Sequence, residues 1–259
     1  MDMVFRIAAW FTYALLLLPI VLVTGASFTA GGYLTFPPEG LSLRWWRVMV
    51  ADPDMANGFL ISFRVALLTL VLSVPIGALA AIQLSRLSPM LRTWLTAVFA
   101  APLSVPLVLT GFALLVFFTQ AGLLNETGLV IGHTVIAVPY VLRSALVSMS
   151  LSDPALPRSA AIHGAAPWQV IWHVTLPLLR PGLISGGLFA FLASINNIVV
   201  SAFLAQPGEN PLPVVIFSRM ENLAEPSAAA ASAAVIVLTA LLCLVLERRY
   251  ALFRSLAGR

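Results

Sequence analysis

The sequence has no lysine: its 14 basic residues are all arginine. Charge of either sign is scarce, at 9% Asp, Glu, Lys and Arg where a soluble domain carries about 25%. That scarcity excludes an ordinary water-soluble fold. The single cysteine, Cys243, has no partner for an intrachain disulfide, and no Cys/His spacing of the metal-binding kind occurs. A GxxxxGK[ST] phosphate loop needs a lysine, so that mode of nucleotide binding is excluded. Neither an HExxH pair nor a nucleophile–base pair stands in the apolar stretches, so no catalytic or metal-ligating residue is assigned.

What fills the chain is apolar, 60% of its residues. The charge-free intervals are 7–38, 65–85, 93–125, 127–142, 181–208 and 226–246. Most reach the roughly 20 residues that carry a helix across the hydrocarbon, and the fourth continues past Arg143. The expected fold is all-α integral membrane, a single domain over 1–259. Its six spans are placed at 7–28, 58–84, 94–118, 129–149, 183–204 and 228–246. The start, Arg6 and then an apolar run, resembles a secretory signal. The run of about 20 residues exceeds the 7–15 of a signal core, so a retained first span is expected.

The charges give an orientation. With six spans both termini share a side, which collects Arg6, Arg86, Arg92, Arg158, Arg180, Arg248, Arg249, Arg254 and Arg259 against Asp2, Asp153 and Glu247. The other side holds Glu39, Asp52, Asp54, Glu126, Glu209, Glu221 and Glu225 against Arg44, Arg47 and Arg219. Cytoplasmic loops gather basic residues, so the topology reads N-in, C-in. The net charge of +4 follows from that asymmetry and does not call for a nucleic-acid partner.

Polar features within the spans stand out. Arg64, near the outer end of the second, either snorkels to the headgroups or packs on a neighbour, or it faces a pathway. Pro102 and Pro106 kink the third, and Pro139 with Tyr140 sits mid-way along the fourth. Such breaks occur in helices lining a translocation path and in ordinary packing alike. Asn196 and Asn197, adjacent in the fifth, either hydrogen-bond a neighbouring helix or face a wet cavity. Between the first two spans, "FPPEGLSLRWWRVMVADPDMANG" has turn residues at both ends, and Trp45 and Trp46 fit a short interfacial helix.

The longest inside connection, 151–177, contains "RSAAIHGAAPWQVIWHVTLP". Asp153 and Pro154 read as a helix start, and Gly164 suits a helix end that needs a left-handed residue. Ser159, Ala160, Ala161, Ala165 and Ala166 are small enough for another surface to come close. Pro177 is expected to break the chain as it enters the fifth span. The result is either a short protruding helix, tied to two spans and able to transmit force to a cytoplasmic partner, or a merely packed loop.

That segment resembles the signature loop of the permease subunits of binding-protein-dependent ABC importers. In words the signature is Glu-Ala-Ala, three residues, Gly, nine residues, an aliphatic residue, any residue, and Leu-Pro. Ala160 falls on the second Ala, Gly164 on the Gly, Val174 on the aliphatic, and Leu176 and Pro177 on Leu-Pro. Arg158 stands where Glu is usual, and Ser159 where the first Ala is usual. The resemblance extends over 58–247, and "FPPEGLSLRWWRVM" and "NNIVVSAFLAQPGENPLPV" resemble the spermidine/putrescine-type subgroup, the second permease of a pair.

The resemblance implies a type I ABC-importer permease fold in the bacterial cytoplasmic (inner) membrane. The chain would be no enzyme and hold no cofactor; ATP and Mg would bind to partner ATPase subunits. Arg158, Ser159, Ala160, Ala161, His163 and Gly164 would form the coupling helix that docks on an ATPase subunit. Val174, Leu176 and Pro177 would set its angle to the fifth span. The implied partners are a second permease, two ATPase subunits, an extracytoplasmic solute-binding protein and membrane lipid. Asn196, Asn197, Tyr140 and Arg64 are the candidates for the solute pathway. No acidic residue lies inside a predicted span, so a polyamine would have to find its counter-charge on the partner permease, or the solute is another small organic molecule. A secondary transporter, the main alternative, would need ionisable groups at depth. Only Arg64, His133 and Arg143 offer themselves, all nearer the span ends than the middle.

Overall fold

The structure is a computed structural model and describes residues 2–223 and 225–250. The helices in order are α1 (Asp2–Ala26), α2 (Arg44–Ala51), α3 (Pro53–Ser85), α4 (Pro89–Ser104), α5 (Leu107–Gln120) and α6 (Glu126–Ser150). Next come α7 (Ala155–Ile162), α8 (Pro167–Val170) and a π-helical turn (Ile171–Thr175). The chain then runs through α9 (Leu176–Ile195), α10 (Val199–Leu204), α11 (Leu212–Leu223) and α12 (Pro226–Tyr250). Among the described residues the only β-type pairing outside strands is the isolated antiparallel bridge Thr29–Leu41. Among the described residues five helical stretches are long and apolar enough to cross a membrane, and a sixth arises if α4 and α5 count as one bent span. The architecture is the all-α integral-membrane one expected from the composition.

That bent pair differs from the single span read over 94–118. The two helices meet at 96°. The cause is Pro106: it has no N–H to donate, and its ring drives the preceding residue out of the helical region. Val105 is accordingly extended, with φ −82° and ψ 136°. Pro75 and Pro139 lie inside α3 and α6, which continue past them. A second break divides the stretch read as 183–204, because α9 stops at Ile195 and α10 starts at Val199.

The chain forms two compact units, Met1–Leu60 with Glu209–Leu244, and Ile61–Gly208 with the end of α12. In the first, α1 presents its apolar side chains almost entirely outward. A short helix, α2, occupies the Trp45–Trp46 segment: the Trp45 indole donates to the Gly31 carbonyl at 2.9 Å, and Trp46 stacks on Phe28. Met55, Leu212, Val215 and Ala231 form this unit's apolar core. Beside it Arg219 bridges Asp52 (2.7 Å), Asp54 (3.2 Å) and Glu225 (3.6 Å).

The second unit is built on α6 and α9, with the later part of α3 against them. Glycines let the backbones meet. A Cβ on Gly182 would stand 2.4 Å from the Ser144 carbonyl oxygen, and one on Gly186 would stand 2.7 Å from the Val141 Cα. Gly77 of α3 meets Val141 in the same way, at 2.7 Å from its Cβ. Without a hydrophobic drive between helices in lipid, this close van der Waals contact is what holds the spans together. Leu142, Ala145 and Leu179 are buried along the inner-loop end of the seam, and Val65, Leu129, Ile136 and Val200 toward the other.

Candidate functional site

Two places gather the residues singled out from the sequence. The first is the connection from α6 to α9. Asp153 Oδ1 accepts the Ala155 N–H at 2.8 Å and fixes the start of α7. The helix ends in a double closure: the Ala165 N–H donates to the Ala160 carbonyl and the Gly164 N–H to the Ala161 carbonyl, both at 3.1 Å. This pattern requires a left-handed residue just past the helix, and Gly164 supplies it with φ +87°. Arg158, Ser159, Ala160 and Ala161 lie on α7 itself, with His163 and Gly164 at its end. No residue of α7 is buried; Ile162 is 83% exposed.

The return path is continuous. Gln169 Oε1 accepts the Ala166 N–H at 2.8 Å and starts α8, which runs through the π-helical turn into α9. Val174 lies in that turn, and Leu176 and Pro177 open α9. Pro177 does not break the chain, contrary to the expectation. A proline ring clashes with the carbonyl four residues earlier and offers it no donor. The wider π register, closed by the Leu176 N–H on the Ile171 carbonyl, lets the helix pass this point without the missing bond.

The second place is a cleft of ≈ 430 Å³ where the elbow of α4 and α5 faces the break between α9 and α10. Tyr140, Asn196 and Asn197 line it, with Val105 from the elbow; no charged side chain is in the lining. The two asparagines turn one side-chain group each to nearby backbone and both line the cleft, the second of the two placements the sequence posed. Asn196 Nδ2 donates to the Leu192 carbonyl at 3.1 Å, closing the end of α9. Asn197 Oδ1 accepts the Val200 N–H at 2.8 Å, satisfying a free amide in the first turn of α10. The paired amides serve the backbone at the break and present their remaining groups at the cleft.

Arg64 is elsewhere. It grips Glu126, at the start of α6, with two charge-assisted bonds: Nε to Oε1 at 2.6 Å and Nη2 to Oε2 at 2.7 Å. Arg143 is exposed. His133 is buried and bonded to Ser194 and Ser201, on the two sides of the break. The sequence carried one signal of this that went unused: serines bracket "INNIVV" on both sides. Among the described residues no three His, Cys, Asp or Glu side chains are grouped to hold a metal ion.

A bundle of apolar spans carrying an exposed, glycine-capped helix on an inner loop has the architecture of a type I ABC-importer permease. Comparison with a solved structure supports this at the level of fold. A chain of a bacterial ABC transporter involved in the import of the acidic polysaccharide alginate superimposes with a TM-score of 0.70, covering 96% of this chain and 95% of its own, at 16% identity. Residues 73–256 match the family described as binding-protein-dependent transport system inner membrane component, and the chain belongs to that family. It is similar to the putrescine transport system permease protein PotI of Escherichia coli strain K12, 27% identical over 83% of this chain and 79% of the relative. It is similar, too, to a putative 2-aminoethylphosphonate transport system permease protein, PhnV, of Salmonella paratyphi A, 27% identical over 89% and 87%. The protein is thus a multi-pass inner-membrane permease of an ABC importer, a transport component that works with a partner permease, ATPase subunits and a binding protein. Family membership sets the secondary-transporter reading aside.

Proposed function

We propose that α7 is the contact through which the ATPase subunits drive this permease, and that the Tyr140–Asn196–Asn197 cleft is its share of the solute pathway. The observation that carries the reading is a single connected path. The exposed, rigidly closed α7 is followed by a helical run, Pro167–Ile195, that ends at the asparagines of the cleft. ATP and Mg bind on the partner subunits. Their closure moves α7, and α9 conveys the displacement to the break beside the cleft. Arg158 stands in the position where relatives present an acid, so its own ATPase either lacks the usual partner for that acid or has replaced it. The test is a cross-link: Ile162→Cys paired with cysteines in the ATPase groove, in membranes with and without ATP. Absence of any cross-link in an intact importer defeats the assignment.

The solute is inferred to be a small organic amine of the polyamine type. Similarity to PotI supports this, while the solute named for PhnV carries a phosphonate beside its amine. Amide and phenol groups in a cleft without charge orient such a molecule by hydrogen bonds and an aromatic face. Its counter-charge then comes from the partner permease. Thermal-shift screening of the cognate binding protein against amines and oxyanions decides it; stabilisation by oxyanions alone removes the amine assignment and leaves the permease reading intact.

A further inference from the structure

A second cleft, of ≈ 370 Å³, lies under α7 and is absorbed by neither part of that function. Three guanidinium groups line it: Arg86 after α3, Arg92 in the first turn of α4, and Arg158 on α7. Among the described residues none of the three has an ion-pair or hydrogen-bond partner. The one acid in the lining, Asp153, already has an oxygen committed to the Ala155 N–H, and the lining keeps a positive excess. Three arginines lining one hollow make it electropositive and suited to an anion.

The rest of the lining says which anion. Ile82, Met149, Val170 and Leu179 supply apolar wall beside the arginines. A free phosphate gains nothing from such a wall, whereas a lipid offers a phosphate for the arginines and glyceryl and acyl carbons for the wall. Met90 and Trp94, on the face of α4 turned away from Arg92, are exposed apolar residues of the kind that meets the membrane interface. Basic pockets between spans on the cytoplasmic side bind anionic headgroups. We infer that this cleft holds the phosphate of an anionic inner-leaflet phospholipid, clamped between the inner ends of α3 and α4 and the coupling helix. The inference rests on the inside-facing, ATPase-contacting reading of α7 given above. The bound headgroup makes coupling sensitive to lipid composition, because Arg158 belongs to both the lipid site and the moving helix.

The test uses the assembled importer in nanodiscs of phosphatidylcholine with graded phosphatidylglycerol. Native mass spectrometry reads the lipid retained, and ATP hydrolysis reads its effect. The double variant Arg86→Gln/Arg92→Gln is expected to weaken phosphatidylglycerol retention on the order of tenfold, while Arg86→Lys/Arg92→Lys keeps most of it. Equal retention by wild type and the glutamine variant overturns the site. So does a response to added inorganic phosphate in place of lipid, or an assembled importer that retains no phosphatidylglycerol because the ATPase fills the cleft. Assembly with the ATPase in phosphatidylcholine alone tests α7 coupling separately, so the two failures are told apart.

Discussion

His133 Nδ1 of α6 lies 2.8 Å from the Ser194 hydroxyl of α9. The other ring nitrogen, Nε2, lies 3.2 Å from the Ser201 hydroxyl of α10. Ser194 in turn donates to Thr69 of α3 at 3.5 Å, which is consistent with Nδ1–H donating to Ser194 and Nε2 accepting from Ser201. One imidazole therefore spans the break in the fifth membrane segment and ties both its sides to α6. Replacing it by leucine takes the acceptor from the buried Ser201 hydroxyl and one of two partners from Ser194, which keeps Thr69, at about 1–3 kcal/mol in total. His133→Leu is expected to lower the thermal midpoint of the purified importer by several degrees, and His133→Gln, which keeps a donor and an acceptor, to recover part. Equal midpoints for wild type and His133→Leu would remove the clamp.

The glycine seam predicts a sharp contrast. Gly182→Ala sets a methyl 2.4 Å from the Ser144 carbonyl, a fixed backbone atom. It should cost about 3 kcal/mol, the upper end of overpacking, and reduce the folded protein in membranes. Gly32→Ala, where nothing lies within 4 Å, should change stability by no more than about 0.5 kcal/mol. Unfolding of the two variants side by side decides it.

Gly164 has open space around it but a left-handed backbone. Gly164→Asn, which tolerates that conformation, should assemble and transport; Gly164→Val, at about 1–2 kcal/mol of backbone strain, should lose ATPase co-purification and uptake at unchanged membrane level. An active, ATPase-bound Gly164→Val importer would show that the closed end of α7 is not needed for coupling.

Asn197 separates stability from selectivity. Asn197→Ala uncaps Val200 and should cost about 1 kcal/mol. Asn197→Asp keeps the acceptor and adds a negative charge to a cleft with none, so stability should hold while the uptake KM for an amine falls roughly fivefold, the worth of a unit charge pair at short range in water. An unchanged KM would place the solute elsewhere.

Arg64 is expected to matter little. An exposed ion pair contributes about 1 kcal/mol or less, and its partner Glu126 already satisfies it. Arg64→Gln should leave the uptake KM unchanged; a raised KM would return Arg64 to the pathway.

Much of this was readable from residue order. Apolar run length gave the all-α membrane fold, its six spans matched if the bent pair α4–α5 counts as one, and Gly164 marked the left-handed end of a short helix. Other features depend on how strongly a local signal acts, which spacing does not encode. Pro106 turns its span by 96° while Pro139 leaves α6 continuous, and residue order alone does not distinguish the two. Pro177 passes inside a helix because five residues before α9 adopt the wider π register. The burial of His133 was not legible, because distance to a span end along the chain says nothing about which neighbours close over a side chain. Asn196 and Asn197 were recognised as costly in hydrocarbon, yet their partners proved to be their own backbone, which only the break reveals.

The glycine contacts between α6 and α9 have a mechanical consequence. Backbones that touch cannot slide independently, so the two helices behave as one beam. Its compliant points are at the ends of α9: the wide turn before Leu176 and the interruption at Asn196. On the coupling proposed above, a displacement applied at the foot of such a beam would be carried along its length to the break, where Tyr140 and the asparagines stand. Stiffness in the middle and slack at both ends is the arrangement of a connecting rod.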